Sequence, residues 1–364
     1  NTPRSQRQRL CRNPGASQTS VPMLNRPKIH ASHGNQNSTL TGSSNQRGGN
    51  KRTMPPQCED HRASSRRRLL PPITLIPSVE RLGQRDLHGK NQQASDGDAF
   101  GNPYPLKPAP NTSIFTFQNI GPQKQSASES APQLNSSRFA SGNASVSLFA
   151  EHCLNESKLP HCDTFNPRMK SKAKQSFSYI LNNNHEASTA GWHLVGGTGF
   201  TMNRLFRTQK LNHGGDSTGL GRWSFSRFQG RGTSTLCVYS AYCPVKNPRN
   251  PGSVWNQHCR YFSDVDGSPN PNPRALFADD LCRSITARLI AGDSVILGID
   301  HNEDVRSGSL GMKFKDMGLV DSILTLHSAS SPPATFNRNN TRTPIDAIWT
   351  SPNISVLRGG YCPF

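Results

Sequence analysis

The 364-residue sequence predicts an α+β domain of packed β-sheets covered by helices, preceded by a basic arm that has no core of its own. Strand-like apolar runs alternate with helix-like patterns across residues 111–364, and this alternation favours sheets with helices packed on them. Polar groups stand at or just past the ends of several of these runs. Residues 1–110 are rich in Asn, Gln, Ser, Arg, Pro and Gly, so we expect this arm to be disordered.

Both regions carry excess positive charge. The formal net charge is +19, with 17 Lys and Arg against 6 Asp and Glu in residues 1–110, and 25 against 17 in residues 111–364. This balance favours a polyanionic partner, and we expect nucleic acid, DNA in particular. In the arm, Arg66-Arg67-Arg68 could contact phosphates or serve as a nuclear address, and a solvated run of charge is the alternative.

Periodicity and breaker residues locate the elements. Apolar, β-branched runs predict strands at 113–117, 146–150, 236–238 and 294–299. Alternating patterns predict further strands at 191–197, 221–228 and 345–349, and the glycine-rich stretch 214–219 is expected to be a hairpin connection. Helices are predicted at 171–181, 273–291 and 314–324.

The stretch 293–302, D-S-V-I-L-G-I-D-H-N, ends a buried-strand pattern in polar residues. Asp300 and Asn302 fall just past the predicted strand, and the alternation of side chains aims both in one direction. In α/β folds, the end of a central strand is where ligands and catalytic groups are placed. Asp and Asn also end strands by turning the backbone, so this stretch alone is weak support for catalysis.

Four other stretches repeat the pattern of polar groups at strand ends. Gln118-Asn119 follows the first predicted strand, and Glu151 follows the second. Tyr242-Cys243-Pro244 comes after the strand at 236–238, and Asp346 lies in the late strand Ile345-Asp346-Ala347-Ile348. Five such coincidences in one chain are difficult to explain as turns alone.

In this order, the motifs resemble those of the endonuclease/exonuclease/phosphatase superfamily, the group of DNase I, abasic-site endonucleases and LINE-type retrotransposon endonucleases. The resemblance covers residues 113–364 and implies two facing, mostly antiparallel sheets with helices outside. It also implies Glu151 as a ligand of Mg²⁺, with Mn²⁺ as an alternative. Asp300 would deprotonate the attacking water, Asn119 and Asn302 would hold water or phosphate, and Tyr242 would bond a phosphate oxygen.

The sequence departs from the family pattern at several positions. In the family, the residue at Asp346 orients the His of a later Ser-Asp-His, and no such motif follows here. We therefore expect the chain as given to lack the catalytic imidazole and a closing strand, which would lower its rate by about 10² to 10⁴. Ala150 replaces a Gln, and Gly121 replaces the Asp of the abasic-site enzymes. Arg338 and Arg342 are candidate phosphate contacts, with solvated surface as the alternative.

The expected function is accordingly a Mg²⁺-dependent phosphodiester hydrolase resembling an endonuclease that acts on DNA, impaired in this form. The alternatives are an inactive nucleic-acid-binding remnant and a phosphatase that acts on a phosphorylated small molecule or lipid.

Other classes of protein receive less support from the sequence. No run of 18 apolar residues is present, so no transmembrane helix is expected, and no signal peptide is visible, which favours an intracellular location. The nine Cys form no Cys-x-x-Cys, which argues against a zinc module. The pairs His152-Cys153 and His161-Cys162 could bind a metal, but their spacing fits no familiar site.

Overall fold

The computed structural model of the protein describes residues 74–75, 100–102, 108–126, 128–129, 143–172, 176–328, 333–338 and 341–361. The chain divides into two units, Asn1–Ser64 and Ser65–Phe364, and every described residue lies in the second unit. In this unit, two sheets face each other and helices cover their outer faces, which confirms the predicted α+β sandwich.

The described residues form two main sheets and two short strand pairs. The strands are β1 (Thr74–Leu75), β2 (Phe100–Gly101), β3 (Ile114–Asn119), β4 (Val146–Ala150), β5 (Phe177–Leu181), β6 (Thr198–Met202), β7 (Lys210–Gly215), β8 (Trp223–Gln229), β9 (Thr235–Tyr242), β10 (Asp293–Asp300), β11 (Val320–Asp321), β12 (Phe336–Arg338), β13 (Thr341–Thr343), β14 (Asp346–Thr350) and β15 (Gly360–Tyr361). The strand orders are β1-β3-β4-β6-β5 and β11-β14-β10-β9-β8-β7. The pairs β12-β13 and β15-β2 lie outside these two sheets.

The helices are α1 (Phe165–Lys172), α2 (Arg204–Gln209), α3 (Val254–Asp266), α4 (Pro273–Ile290), α5 (Ser309–Asp316) and α6 (Ser322–Leu326). Two short 3-10 helices, Glu156–Lys158 and His161–Asp163, precede α1. Helix α4 begins with Asn272 as its cap, whose side chain accepts from the Ala275 N–H, and with Pro273 in the first turn. A proline fits this position because the first turn needs no N–H donor from it.

Alternation along the strands separates an inner core from an outer one. On β10, Ile296 faces the opposite sheet, where both sheets contribute the buried side chains Phe115, Val146, Leu148, Phe200, Met202, Phe228, Leu236, Val238 and Ile348. Val295 and Leu297 face the other way, where α4 and α5 pack with Phe277, Leu281, Ile285 and Phe314. Helix α1 covers the outer face of the five-stranded sheet with Phe165 and Met169. The layers are therefore helix, sheet, sheet and helix.

Gly298 shows how closely the two sheets approach each other near the end of β10. A Cβ added at this glycine would lie 2.7 Å from Phe117 Cδ2 and 2.9 Å from Leu148 Cδ1, both on the opposite sheet. The sheets can thus approach to this distance only because position 298 has no side chain.

Some predicted elements are confirmed and others are wrong. The strand at 294–299 and the helix at 273–291 are present as β10 and α4. The helix predicted at 171–181 is wrong: α1 ends at Lys172, and 177–181 is a strand paired with β6. The short run F-S-Y-I-L satisfies both periodicities, and pairing with a neighbouring strand decided between them. The helix predicted at 314–324 is interrupted by Gly318, which has a φ of +81° and ends α5.

Two short segments of the predicted arm belong to the folded unit. Thr74–Leu75 pairs in parallel with Ile114 and Phe115, and Phe100–Gly101 pairs with Gly360 and Tyr361. Phe100 is buried in a small cluster with Ile323 and Tyr361. The boundary predicted at 110/111 therefore excludes residues that the domain uses, because these partners lie more than two hundred positions away in sequence.

Candidate active site

Polar groups from both sheets meet at one edge of the sandwich. Strands β3 and β4 run parallel in one sheet, and β9 and β10 run parallel in the other. The hydroxyl of Ser240, on β9, donates to the carbonyl of Phe149, on β4, at 2.8 Å, which ties the two sheets together near their carboxyl ends. The residues that end these four strands are therefore brought to a single edge.

Asn119 lies at the centre of this edge. Its Nδ2 donates to Glu151 Oε2 at 2.6 Å and to Asp300 Oδ2 at 3.0 Å, and its Oδ1 accepts from the Gly121 N–H at 3.0 Å. One amide thus joins a carboxylate of the first sheet to a carboxylate of the second. Asn119 and Glu151 are only partly buried, so the cluster remains open to a ligand.

Glu151 follows β4 in a left-handed backbone conformation, with a φ of +56°. Its N–H donates to the Gly197 carbonyl at 2.8 Å, which holds this conformation in place. Residues other than glycine rarely adopt this region, and where they do, the surrounding structure has to impose it. The turn places the carboxylate beside Asn119.

Asp300 is the last residue of β10 and is 1% exposed. In the sheet it lies opposite Tyr242 on one side and Asp346 on the other. Burial, together with the nearby carboxylates of Asp346 and Glu151, holds the pKa of Asp300 well above its usual range. Hydrogen bonds from Asn119 and the Asn302 N–H act against this shift.

Asn302 does not project beside Asp300 as strand alternation predicts, because β10 ends at Asp300 and Asn302 has a φ of +49°. Its Nδ2 donates to the Cys243 carbonyl at 2.8 Å. The side chain of Asn302 therefore ties the end of β10 to the segment that follows β9. His301 points away from the site, as predicted, and accepts from Trp349 Nε1 at 3.0 Å in the outer core.

Tyr242 is buried at the end of β9. Burial is the largest cause that raises its pKa far above the usual range, followed by the charges of Glu151 and Asp300 and a hydrogen bond with Glu151. The hydroxyl therefore stays protonated and is directed at the Glu151 carboxylate. In this arrangement, Tyr242 orients Glu151.

Asp346 opens β14, the strand on the other side of β10. Thr335 Oγ1 accepts from the Asp346 N–H at 3.1 Å, and the Asp346 carbonyl accepts from the Tyr361 hydroxyl at 2.9 Å. Burial and the charge of Glu151 raise the pKa of the Asp346 side chain, and a hydrogen bond with Thr335 opposes this. Its Oδ1 is buried without a hydrogen-bond partner among the described residues.

The three carboxylates have no cationic partner. None of the ion pairs that the described residues form involves Glu151, Asp300 or Asp346. Buried carboxylates that are not offset by a cation raise each other's pKa and favour binding of protons or cations. In the described part of the chain, no three acidic, His or Cys groups lie close enough to form a complete metal cage. Mg²⁺ commonly uses one or two carboxylates and keeps several waters, so Glu151 with its neighbours fits a hard divalent cation.

Arg274 supports this edge from the first turn of α4, although the sequence analysis did not identify it. Its guanidinium donates to the carbonyls of Pro244 at 3.1 Å and His301 at 3.0 Å, and to Glu303 Oε2 at 2.8 Å. Arg274 thereby joins the segments that follow β9 and β10. No local motif marks such a residue, because its partners are backbone carbonyls brought close only by the fold.

The other predicted groups lie elsewhere. The side chains of Arg338 and Arg342 lie outside the described residues, as do the basic runs of the arm. His152 and Cys153 are buried, whereas His161 and Cys162 are exposed, and within the described ranges no metal-binding group includes them. His327 bonds the Gly359 carbonyl at 2.9 Å. No described helix has the length and apolar character needed to cross a bilayer.

The fold and the site define an α+β sandwich with an acidic cluster at one edge. No protein-family model and no curated protein matches the sequence. Solved structures with a similar fold include the 3′ phosphatase NExo from Neisseria bound to product DNA hairpin, at 13% identity and a TM-score of 0.42, covering 64% of this chain and 85% of that one.

Two further structures are similar at the same level. An endonuclease/exonuclease/phosphatase family protein from Bacteroides thetaiotaomicron has 15% identity and a TM-score of 0.40, and the match covers 65% of this chain and 80% of that one. An AP endonuclease from Archaeoglobus fulgidus has 10% identity and a TM-score of 0.40, with coverage of 64% and 85%. These are similarities of fold, and function has to be inferred from the geometry of the site itself.

Proposed function

We propose that the protein is a divalent-metal-dependent phosphodiester hydrolase of the nuclease type, with DNA as its substrate and Mg²⁺ or Mn²⁺ as its metal. The observation that carries this proposal is the convergence of Glu151, Asp300 and Asp346 around Asn119 without a cation to offset them. A cation in this cluster would relieve the repulsion among the carboxylates. The net charge of +19 supports a polyanionic substrate.

Each residue of the cluster has a role in this reaction. Glu151, oriented by Tyr242, holds the metal, which when bound offsets the negative charge on the phosphate oxygens. Asp300 accepts a proton from the attacking water as the new P–O bond forms and the bond to the leaving oxygen breaks. Solvent returns a proton to the leaving oxygen. Asn119 keeps the Glu151 and Asp300 carboxylates at a fixed separation.

The remaining site residues act by positioning. Asn302 donates to the Cys243 carbonyl, so its amide fixes the turn after Asp300 instead of contacting phosphate. Asp346 adds negative charge next to Asp300 and keeps one carboxylate oxygen unpaired within the described structure. That oxygen is available to a water or a donor that enters with the substrate.

The proposal is tested by plasmid nicking with Mg²⁺ and by calorimetric titration with Mn²⁺, both on the full chain. Asp300→Asn removes the proton acceptor and should lower the nicking rate by about 10² or more. Glu151→Gln removes the metal ligand and should weaken Mn²⁺ binding as well as nicking. Asp279→Asn is the matched control, because Asp279 is an exposed carboxylate on α4 that pairs with Lys313.

The two measurements separate the possible outcomes. Equal nicking by the wild type and the Asp300 and Glu151 variants would remove the site assignment. A wild-type chain that binds neither Mn²⁺ nor Mg²⁺ would overturn the metal-dependent mechanism. Retention of metal and DNA binding without any nicking would favour an inactive nucleic-acid binder over a hydrolase.

A further inference from the structure

A second surface with chemical character lies along one open side of the sandwich. Strands β5 and β7 are the terminal strands of their sheets, and they lie on the same side, since a Cβ on Gly215 of β7 would collide with Leu181 of β5. Leu181 and Gly215 mark the active-site end of these strands. Phe177 and Lys210 begin the same strands, about 17 Å away at 3.3 Å per residue.

At that far end, two aromatic rings form the rim of the inner core. Phe177 and Tyr179 are half-buried and pack against the side chains between the sheets. The exposed His213 ring lies 5.4 Å from the Phe177 ring and 4.5 Å from the Tyr179 ring, edge to face in both cases. Lys210 Nζ stands 4.0 Å above the Phe177 centroid and 3.1 Å from His213 Nδ1. Aromatic and cationic groups are thus interleaved on one surface.

Two arginines extend this surface along α2. Arg204 and Arg207 are exposed and one helical turn apart, directly before β7. The elements β5, β6, α2 and β7 contain no Asp or Glu. We call Phe177, Tyr179, Arg204, Arg207, Lys210 and His213 the edge patch.

The cations of the edge patch repel one another. Partial burial is the largest cause that lowers the pKa of Lys210, and the charge of Arg207 lowers it further. The pKa of His213 is lowered by burial and then by Lys210. Lys210 and His213 could simply cover the apolar rim, but that role does not explain why two further arginines gather here without an acidic residue. An anionic ligand would relieve this repulsion.

We propose that the edge patch binds a single strand of nucleic acid, with phosphates on Arg204, Arg207 and Lys210 and a base stacked on the rings of Tyr179 and Phe177. Sequence-independent binding of single strands combines these two kinds of group, since cations follow the backbone and aromatic rings take the bases. The patch is distinct from the acidic cluster and lies at the opposite end of the strands. It goes beyond the proposed hydrolysis and does not depend on it.

The primary test is photo-cross-linking of the full chain to a 5-bromouracil-containing single strand of about 15 nucleotides, followed by peptide mapping. The mixture contains EDTA, so the result does not depend on metal or on cleavage. Adducts are expected on Phe177, Tyr179 or His213, even if the basic arm also contributes affinity. Adducts confined to the arm or to the acidic edge would overturn the proposal.

The second test measures affinity by fluorescence anisotropy across salt concentrations, again in EDTA. Arg207→Glu with Lys210→Glu should weaken binding at least tenfold, and should lower the slope of log K against log salt by about 1.4, or about 0.7 per lost phosphate contact on a single strand. The control is Arg283→Glu with Lys315→Glu, which changes the net charge equally at exposed positions of α4 and α5.

Thermal melts establish that both double variants are folded. Equal weakening by the edge-patch and control pairs would show a general effect of net charge and would overturn the proposal. Tyr179→Leu keeps the rim apolar and should weaken binding at high salt, where phosphate contacts are screened. If the wild type binds phosphatidylserine vesicles and not the oligonucleotide, the occupant proposed here is wrong.

Discussion

At the scale of single residues, Asn119 determines how the two sheets share one site. Its single Nδ2 group donates to Glu151 at 2.6 Å and to Asp300 at 3.0 Å, so one neutral amide separates two carboxylates. A neutral donor is well suited to this position, because it satisfies both acceptors without adding charge. The identity of residue 119 therefore sets how much negative charge the site carries before a cation binds.

Asn119→Asp adds a further carboxylate to the cluster and removes the shared donor. We expect the variant to have a lower Tm than the wild type in EDTA, because like charges then lie side by side. Mg²⁺ should raise its Tm by more than it raises that of the wild type, since only the folded state offers the assembled cluster. Asn183→Asp is the control, as Asn183 is a buried amide that bonds Gln257. An equal Mg²⁺ effect in both variants would contradict this role for Asn119.

At the scale of elements, the active-site edge depends on how the segments after β9 and β10 are held. Arg274 joins them through the carbonyls of Pro244 and His301. Its partner Glu303 also accepts from the Leu310 N–H at 2.7 Å, near the start of α5. One ion pair, at 2.8 Å, thus links α4, α5 and the turn after Asp300. The orientation of Asp300 therefore rests on contacts with helices outside the sheet.

Arg274→Ala removes three hydrogen bonds and leaves Glu303 without its cation. We expect the free energy of unfolding to fall by about 1.5 to 3 kcal/mol, the range for hydrogen bonds that involve charged groups. If the protein is a hydrolase, kcat should fall more than KM rises, because the turn after Asp300 loosens. Arg283→Ala, on the exposed face of α4, should change the free energy of unfolding by less than about 0.5 kcal/mol. Equal effects of the two substitutions in urea denaturation would contradict the linking role.

At the scale of the whole molecule, three histidines are buried in different layers of the fold. Burial lowers the pKa of His152 to about 4, and the pKa values of His258 and His301 to about 3. Each is neutral when folded and titrates near 6.5 when unfolded. Their stabilising contribution is therefore present above pH 6.5 and is lost as the pH falls toward the folded-state values. Buried carboxylates with raised pKa values, such as Asp321, act in the opposite sense.

His258→Gln isolates one of these contributions, away from the active-site edge. His258 lies in α3 near Arg222, whose charge adds to the lowering of its pKa. Between about pH 6 and pH 4, the wild type should lose about 1.4 kcal/mol of unfolding free energy per pH unit relative to the variant. Urea denaturation across this range measures the difference. His161→Gln, at an exposed position, should show no such difference, and parallel pH profiles for all three proteins would contradict the prediction.

The sequence was sufficient for the fold class and for the strands that carry the site. The run at 294–299 and the helix from Pro273 could be predicted because burial and capping leave periodic signals within about ten to twenty residues. The run at 177–181 could not be assigned, because five residues satisfy both periods and only pairing with β6 makes it a strand. The strands at 74–75 and 100–101 were missed because their partners lie far away along the chain.

For the site, the sequence by itself determined which chemistry is present: acidic and amide groups at strand ends, in a fixed order, within a basic chain. Only the tertiary structure decided how these groups meet, because contacts between distant positions leave no local pattern in a single sequence. It brought Glu151 and Asp300 to either side of Asn119, and it turned Asn302 onto the Cys243 carbonyl through a left-handed backbone.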